Sequence, residues 1–337
     1  MADLKTGYMG IDLKNPIIAG ASKLTADLEL LQEIEKEGAA AVVTASLFEE
    51  QIKTQNARME DMVLDAGGMH QTELNIPSMN AESIPEEHLN WVRQTVETLD
   101  IPVIASLNAV EEDIWIDWAK RLQDTGVAGL ELNFYSVPTR LDTAATDMED
   151  AQVRTVRKVA ESVHIPVSVK LSPFYTNPLN IIARMDRAGA RGFVLFNRFF
   201  QPDIDVATRS SKYTFDLSNS NENRLPMRFT GLLHGKVEGS ICCSTGIHSA
   251  KDIIKMILAG ADCVQMVSAL YLHKISWIAS VTERLESWMD SQGLPNLRSI
   301  TGMMDRKNSP DTDAYERAQY VKILLNSEKS IGDYPLF

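Results

Sequence analysis

Short apolar runs alternate with longer amphipathic stretches along most of the chain. Eight runs read as strands: residues 16–22 (PIIAGAS), 39–46 (AAAVVTAS), 102–108 (PVIASLN), 129–135 (GLELNFY), 166–172 (PVSVKLS), 192–198 (GFVLFNR), 240–246 (SICCSTG) and 261–269 (ADCVQMVSA). Most are almost continuously apolar, as strands covered on both faces should be. Helical stretches separate them. Ser83 and Glu86, with Pro85 early in the first turn, read as a capping box opening a helix through Leu99. Asn177 and Pro178 open another, and Ser249 with Asp252 opens a third. That third helix carries Ile253, Ile254, Ile257 and Leu258 on one face and stops at Gly260. Ile275, Ile278, Val281, Leu285 and Trp288 fall at helical spacing and read as core packing of a last long helix.

ETLDIPVIASL at residues 97–107 is echoed by ESVHIPVSVKL at residues 161–171, an offset of two strand–helix units. Eight strands in strict alternation with helices favour a closed (β/α)8 TIM barrel over an open doubly wound sheet. Residues 1–300 read as a single barrel domain. Residues 301–337 read as a tail with one helix near residues 314–325. Long excursions at residues 47–85 and 199–239 follow the second and sixth strands. The stretch 203–225, polar and rich in Ser and Asn, reads as a mobile lid or as a surface insertion without a role.

In such a barrel, chemistry sits at the C-terminal strand ends. Those ends are Ser22, Ser46, Asn108, Asn133, Lys170, Asn197, Thr245 and Ser268, a polar ring suited to a polar ligand over the mouth. Lys170 stands within the apolar VSVKLSP. It must reach solvent or pair with an anion, because an unpaired buried ammonium is costly. As a functional group it is either a fixed cation beside a ligand that gains negative charge or a Schiff-base nucleophile. Residues 243–247 (CSTGI), the Ser249 cap and residues 259–269 form the turns after the last two strands, where barrels commonly bind phosphate. Ser136, in ELNFYS at residues 131–136, can act as a base only if a neighbour or a water takes its proton onward.

Composition narrows the field. A hydrophobic fraction of 44% and a charged fraction of 23% argue for a globular chain and against disorder. A net charge of −13 argues against a polyanion such as nucleic acid as partner. No uncharged apolar run reaches the ~20 residues of a membrane helix, and the first residues lack a basic-then-apolar leader. The three cysteines, Cys242, Cys243 and Cys263, form no CxxC, so zinc, iron–sulfur and disulfide frameworks are not expected, and a cytoplasmic location fits. The six histidines show no HxH or HExxH spacing, so no metal is expected, and neither GxGxxG nor a Walker motif occurs.

These residues resemble the FMN-dependent dihydroorotate dehydrogenases over about residues 4–289. The likeness rests on Asn15-Pro16, Glu131-Leu132-Asn133, Lys170 through Pro173, Asn197, Ser244 through Ile247, and Gly260-Ala261 with Val264, Gln265, Ser268, Ala269 and Leu270. It implies FMN as cofactor. The backbone of Gly20, Ala21 and Ser22 would run along the flavin, Ser46 and Asn108 would contribute to its site, and Asn133 would bond flavin or substrate. Lys170 would sit near the N1/O2 edge, where charge collects on reduction. Thr245, Gly246, Val267 and Ser268 would hold the phosphate, and Asn197 would face the pyrimidine. Ser136 takes the position of the catalytic base, where cytosolic members usually carry Cys and membrane-attached ones Ser. The membrane-associating helices of the latter group are absent before the barrel. Members commonly dimerise, so a homodimer is expected.

The chain also departs from the family pattern. Ala45 stands where a Lys is expected, Pro138 where a second substrate-binding Asn is expected, and Val267 where Gly is usual. The Asn-x-x-Gly-x-x-Asn substrate loop is missing from residues 47–85, with Gly67-Gly68 and Asn75 as partial substitutes. Each lost polar contact should cost about 1–3 kcal/mol of substrate recognition. The resulting expectation is an FMN-dependent oxidoreductase that oxidises dihydroorotate to orotate. Ser136 would take a proton and hydride would pass to flavin N5. The alternatives are a related flavin oxidoreductase for another small cyclic or unsaturated substrate, a flavin- or phosphate-binding protein without turnover, and a Schiff-base lyase using Lys170.

Overall fold

The computed structural model describes residues 2–48, 84–108, 111–134, 137–199, 201–212 and 216–317. The chain begins with an antiparallel hairpin, β1 (Thr6–Tyr8) and β2 (Ile11–Leu13), turning at Met9 and Gly10 with φ of 56° and 81°. Then come β3 (Ile17–Ala19), β4 (Ala41–Val43), a short β5 (Leu47–Phe48), β6 (Val103–Asn108), β7 (Gly129–Asn133), β8 (Val167–Leu171) and β9 (Gly192–Leu195). A second hairpin, β10 (Asp203–Asp205) with β11 (Ser210–Lys212), precedes β12 (Ser240–Cys243) and β13 (Cys263–Met266). β3, β4, β6, β7, β8, β9, β12 and β13 pair in parallel, and the pairings of β13 with β3 and of β4 with β6 close the ring. The eight expected strands are thus present and form a (β/α)8 barrel, each strand somewhat shorter than its apolar run.

The helices are α1 (Leu28–Lys36), α2 (Ile84–Thr98), α3 (Glu112–Gln123), α4 (Ala145–Ser162), α5 (Pro178–Arg187) and α6 (Arg224–Leu233), then α7 (Ala250–Ala259), α8 (Ser268–His273), α9 (Trp277–Ser291) and the short α10 (Asp313–Glu316). Local chemistry starts and stops two of them as the sequence predicts, while the expected Ser83 cap lies outside the described residues. Asn177 accepts from the amide of Asn180 at 3.1 Å, and Ser249 shares a reciprocal capping box with Asp252. Gly260 ends α7 at φ 113°. The short α10 lies where the expected tail helix would begin, and residues 318–337, which hold most of that expected helix, lie outside the described residues. So do residues 49–83, most of the expected second-strand excursion. The stretch read as a lid or insertion contains the exposed β10–β11 hairpin and ends in α6.

Alternate strand residues divide between two apolar clusters. Leu130, Leu132, Val167, Val169, Leu171, Val264 and Met266 pack outward against the helices. Ile18, Val43, Ile104, Val194, Cys242 and Cys263 face the barrel interior and meet Tyr8, Met9 and Leu13 of the first hairpin, which plugs one end. A Cβ on Gly192 would lie 2.7 Å from Met9 and 2.9 Å from Tyr8, so the plug seats only against a glycine. Higher in the barrel, the residues alternating with the outward cluster are polar: Ser106, Asn108, Glu131, Asn133, Ser168, Lys170 and Gln265, all buried.

Candidate active site

β7 and β8 set Asn133 beside Lys170 in register. Lys170 is only 5% exposed. Its Nζ donates to Gln265 Oε1 at 2.8 Å and lies 3.5 Å from Glu131 Oε1. Gln265 Nε2 donates to the other oxygen of Glu131. The ammonium of β8 is therefore fixed by groups from two other strands, as burial of a charge requires. Alongside, Asn197 Nδ2 donates to Asn133 Oδ1 at 2.7 Å, and Asn108 Nδ2 donates to the carbonyl of Asn133 at 2.7 Å. Ser46 and Ser106 share a hydroxyl–hydroxyl bond of 2.7 Å.

After β12 the backbone turns through two left-handed residues, Thr245 at φ 74° and Gly246 at φ 76°. The first conformation is strained for a residue with a side chain, and Thr245 Oγ1 is tied to the carbonyl of Phe196 at 2.9 Å. At Gly246 a Cβ would lie 2.4 Å from the amide nitrogen of Asn223, so the turn is pressed against the segment leading into α6. That segment is pinned in return. Ser218 Oγ accepts from the amide of Gly246 at 3.3 Å and bonds His248 Nε2 at 3.1 Å, while the Ser218 amide donates to Ser268 Oγ at 3.1 Å. Burial lowers the His248 pKa, with Asp252 opposing. Asp252, itself buried, collects the amides of His248 and Ser249 and the side-chain amide of Asn223.

Between the ammonium and this turn opens a cleft of about 290 Å³. Of the residues expected at the site, Ala21, Lys170, Asn197, Thr245, Gly246, Val267 and Ser268 line it. Asn133 and Asn108 reach it through their bonds to Asn197 and to each other. Ser46 is bonded to Ser106, and Ser22 caps a short 3-10 turn, where its backbone bonds Thr25 Oγ1. Ser136 lies outside the described residues. Gln265 and Ser218 also line the cleft, and neither stood among the expected site residues. Gln265 had a signal: one polar residue in an apolar strand, facing inward by alternation. Ser218 had none, because hydroxyl residues are plentiful in its stretch. Among the described residues no cluster suited to a metal ion occurs, and no helix is long and apolar enough to cross a membrane.

A family model for dihydroorotate dehydrogenase matches residues 3–289, most of the chain. The chain belongs to the dihydroorotate dehydrogenase family. Its enzyme class is accordingly that of oxidoreductases acting on CH–CH bonds. Among curated relatives it is similar to dihydroorotate dehydrogenase A (fumarate) of Lactobacillus delbrueckii subsp. bulgaricus, 25% identical over 311 residues, covering 90% of this chain and 99% of the relative. It is likewise similar to the catalytic subunit of dihydroorotate dehydrogenase B (NAD(+)) of Methanocaldococcus jannaschii, 26% identical over 306 residues, covering 89% and 97%. Family membership gives the cleft its context: it stands at the strand ends from which barrels act. It also sharpens the meaning of Val267. The Val267 side chain packs so close to Gly20 that a Cβ there would come within 2.8 Å of it, so the bulkier Val267 is accommodated by a glycine just after β3.

Proposed function

We propose that the protein is an FMN-dependent oxidoreductase of small cyclic CH–CH substrates, with dihydroorotate oxidised to orotate as the leading reaction. The observation that carries this reading is the buried Lys170 ammonium lining a cleft beside the amides of Asn197 and Gln265. The residues fit a flavin mononucleotide. A cation and an amide suit the edge of a ring that gains negative charge, and hydroxyls with a tight backbone turn suit a phosphate at the far end. Bound there, FMN would supply hydride acceptance. Lys170 would hold its charge against the electron-rich edge. Thr245, Gly246, Val267, Ser268 and Ser218 would hold the phosphate end, Ala21 would flank the ring, and Asn133 and Asn197 would orient the substrate. Ser136 would take the substrate proton with a water to carry it onward.

Ala45 and Pro138 remove two polar partners expected on the substrate side, and this favours a second reading, a related small unsaturated substrate on the same flavin. A Schiff base on Lys170 is disfavoured, because it needs an Nζ free to attack a carbonyl, whereas this Nζ is buried and already held by Gln265 and Glu131. The test is anaerobic mixing of the FMN-loaded protein with dihydroorotate and with other dihydropyrimidines, following bleaching of the flavin band near ~450 nm. No flavin band after FMN addition would overturn both flavin readings. Bleaching by another donor alone would select the second. Ser136→Ala should slow bleaching by about 10²-fold or more while FMN content stays unchanged. Reoxidation by fumarate or by NAD(+) then separates the two forms named among the relatives.

A further inference from the structure

We infer that Glu131 is the positioning residue of this site, acting on the cleft through Gln265 and Lys170. The inference rests on the flavin reading for its consequence but not for its geometry. Glu131 is fully buried at the middle of β7 and does not line the cleft. A buried carboxylate is tolerated only when paired and hydrogen-bonded. One oxygen accepts from Gln265 Nε2. The other finds no hydrogen-bond donor among the described residues and faces Lys170 Nζ at 3.5 Å. Among the described residues Lys170 is its sole salt-bridge partner.

The chemistry of these groups leaves one arrangement. An ionised carboxylate only accepts hydrogen bonds, and an ammonium only donates. Gln265 stands between them and has one end of each kind. It must turn its NH₂ to Glu131 and its carbonyl to Lys170, as observed. Without the carboxylate the amide loses the reason for that orientation, and the reversed amide would set an NH₂ against the ammonium. Beneath Glu131, Tyr8 offers no competing charge: burial first, then Cys242, Cys263 and Glu131, raise its phenol well above its ordinary range. Glu131 therefore aims the cation toward the cleft while touching no ligand itself.

Two measurements on the purified protein test this. In the first, acetic anhydride labelling of Lys170 is followed by peptide mass spectrometry, with the half-exposed Lys158 as an internal reference. Glu131→Gln should speed labelling of Lys170 at least tenfold and leave Lys158 unchanged. In the second, sulfite is titrated against the flavin band. Sulfite adds at N5 and leaves negative charge at the N1/O2 edge, so its affinity reports the cation there. Glu131→Gln should weaken sulfite binding at least tenfold in the natural background and less than twofold in a Lys170→Met background; Glu131→Asp should fall between and remain folded. A purely structural role would change both backgrounds equally. Unchanged Lys170 labelling, equal losses in both backgrounds, or sulfite binding that is unchanged or tighter would each overturn the inference. If the protein shows no flavin band, the flavin reading fails, and the labelling alone decides whether Glu131 positions Lys170.

Discussion

Lys170 concentrates the residue-scale chemistry, because its 2.8 Å bond to Gln265 and its 3.5 Å approach to Glu131 leave one ammonium proton for a ligand. Lys170→Ala should slow flavin reduction by about 10²–10³-fold, in line with loss of one preorganised charge-stabilising donor. Stopped-flow bleaching near ~450 nm measures it, and a rate within threefold of the parent would remove Lys170 from its role. A second residue, which does not line the cleft, bears on acid stability. His88 in α2 is half-buried beside Trp91, with ring centroids 5.5 Å apart, and desolvation pushes it from 6.5 down to about 4. The folded state keeps the ring neutral, while the unfolded chain binds a proton as pH falls through 6.5. Stability from this group is full above 6.5, falls between 6.5 and about 4, and then levels. The loss should be on the order of 2–3 kcal/mol. His88→Phe should flatten that portion of the stability–pH curve in denaturant titrations, and an unchanged slope would refute the assignment.

At the scale of elements, the site depends on the turn after β12. Its two left-handed residues and the close packing of Asn223 against Gly246 tie β12 to the start of α6. Gly246→Ala should cost at least ~1–2 kcal/mol from the left-handed backbone alone, with the 2.4 Å approach adding to it. It should also weaken FMN retention at least tenfold, measured by ultrafiltration; retention within twofold would show that the turn does not hold the phosphate. Elements with strong local signals were legible. The caps at Asn177 and Ser249, the stop at Gly260 and the eight apolar runs all correspond to observed starts, stops and strands. The β1–β2 hairpin was not legible, since two three-residue strands are too short to display a period. The β10–β11 hairpin was hidden likewise in a polar stretch.

At the scale of the molecule, the barrel has a plugged end and a reactive end. Tyr8, 1% exposed, fills the plug with Met9 and Leu13. Tyr8→Ala should lower stability by about 3–5 kcal/mol, as for other large buried aromatics, while FMN retention stays within threefold. Equal loss of both would mean that plug and cleft behave as one unit. The alternation of buried runs and amphipathic stretches determined the barrel, because each strand needs covering on both faces and each helix on one. The residue types at the strand ends likewise determined which side chains gather at the mouth: Lys170, Asn197, Thr245, Gly246 and Ser268. What the sequence could not settle was which of two opposed groups each inward side chain would meet. Glu131 and Gln265 are separated by 134 positions, yet they share a hydrogen bond across the barrel. Only closure of the sheet decides that the carboxylate, the amide and the ammonium stack in that order, since strand tilt and register fix which inward residues share a level.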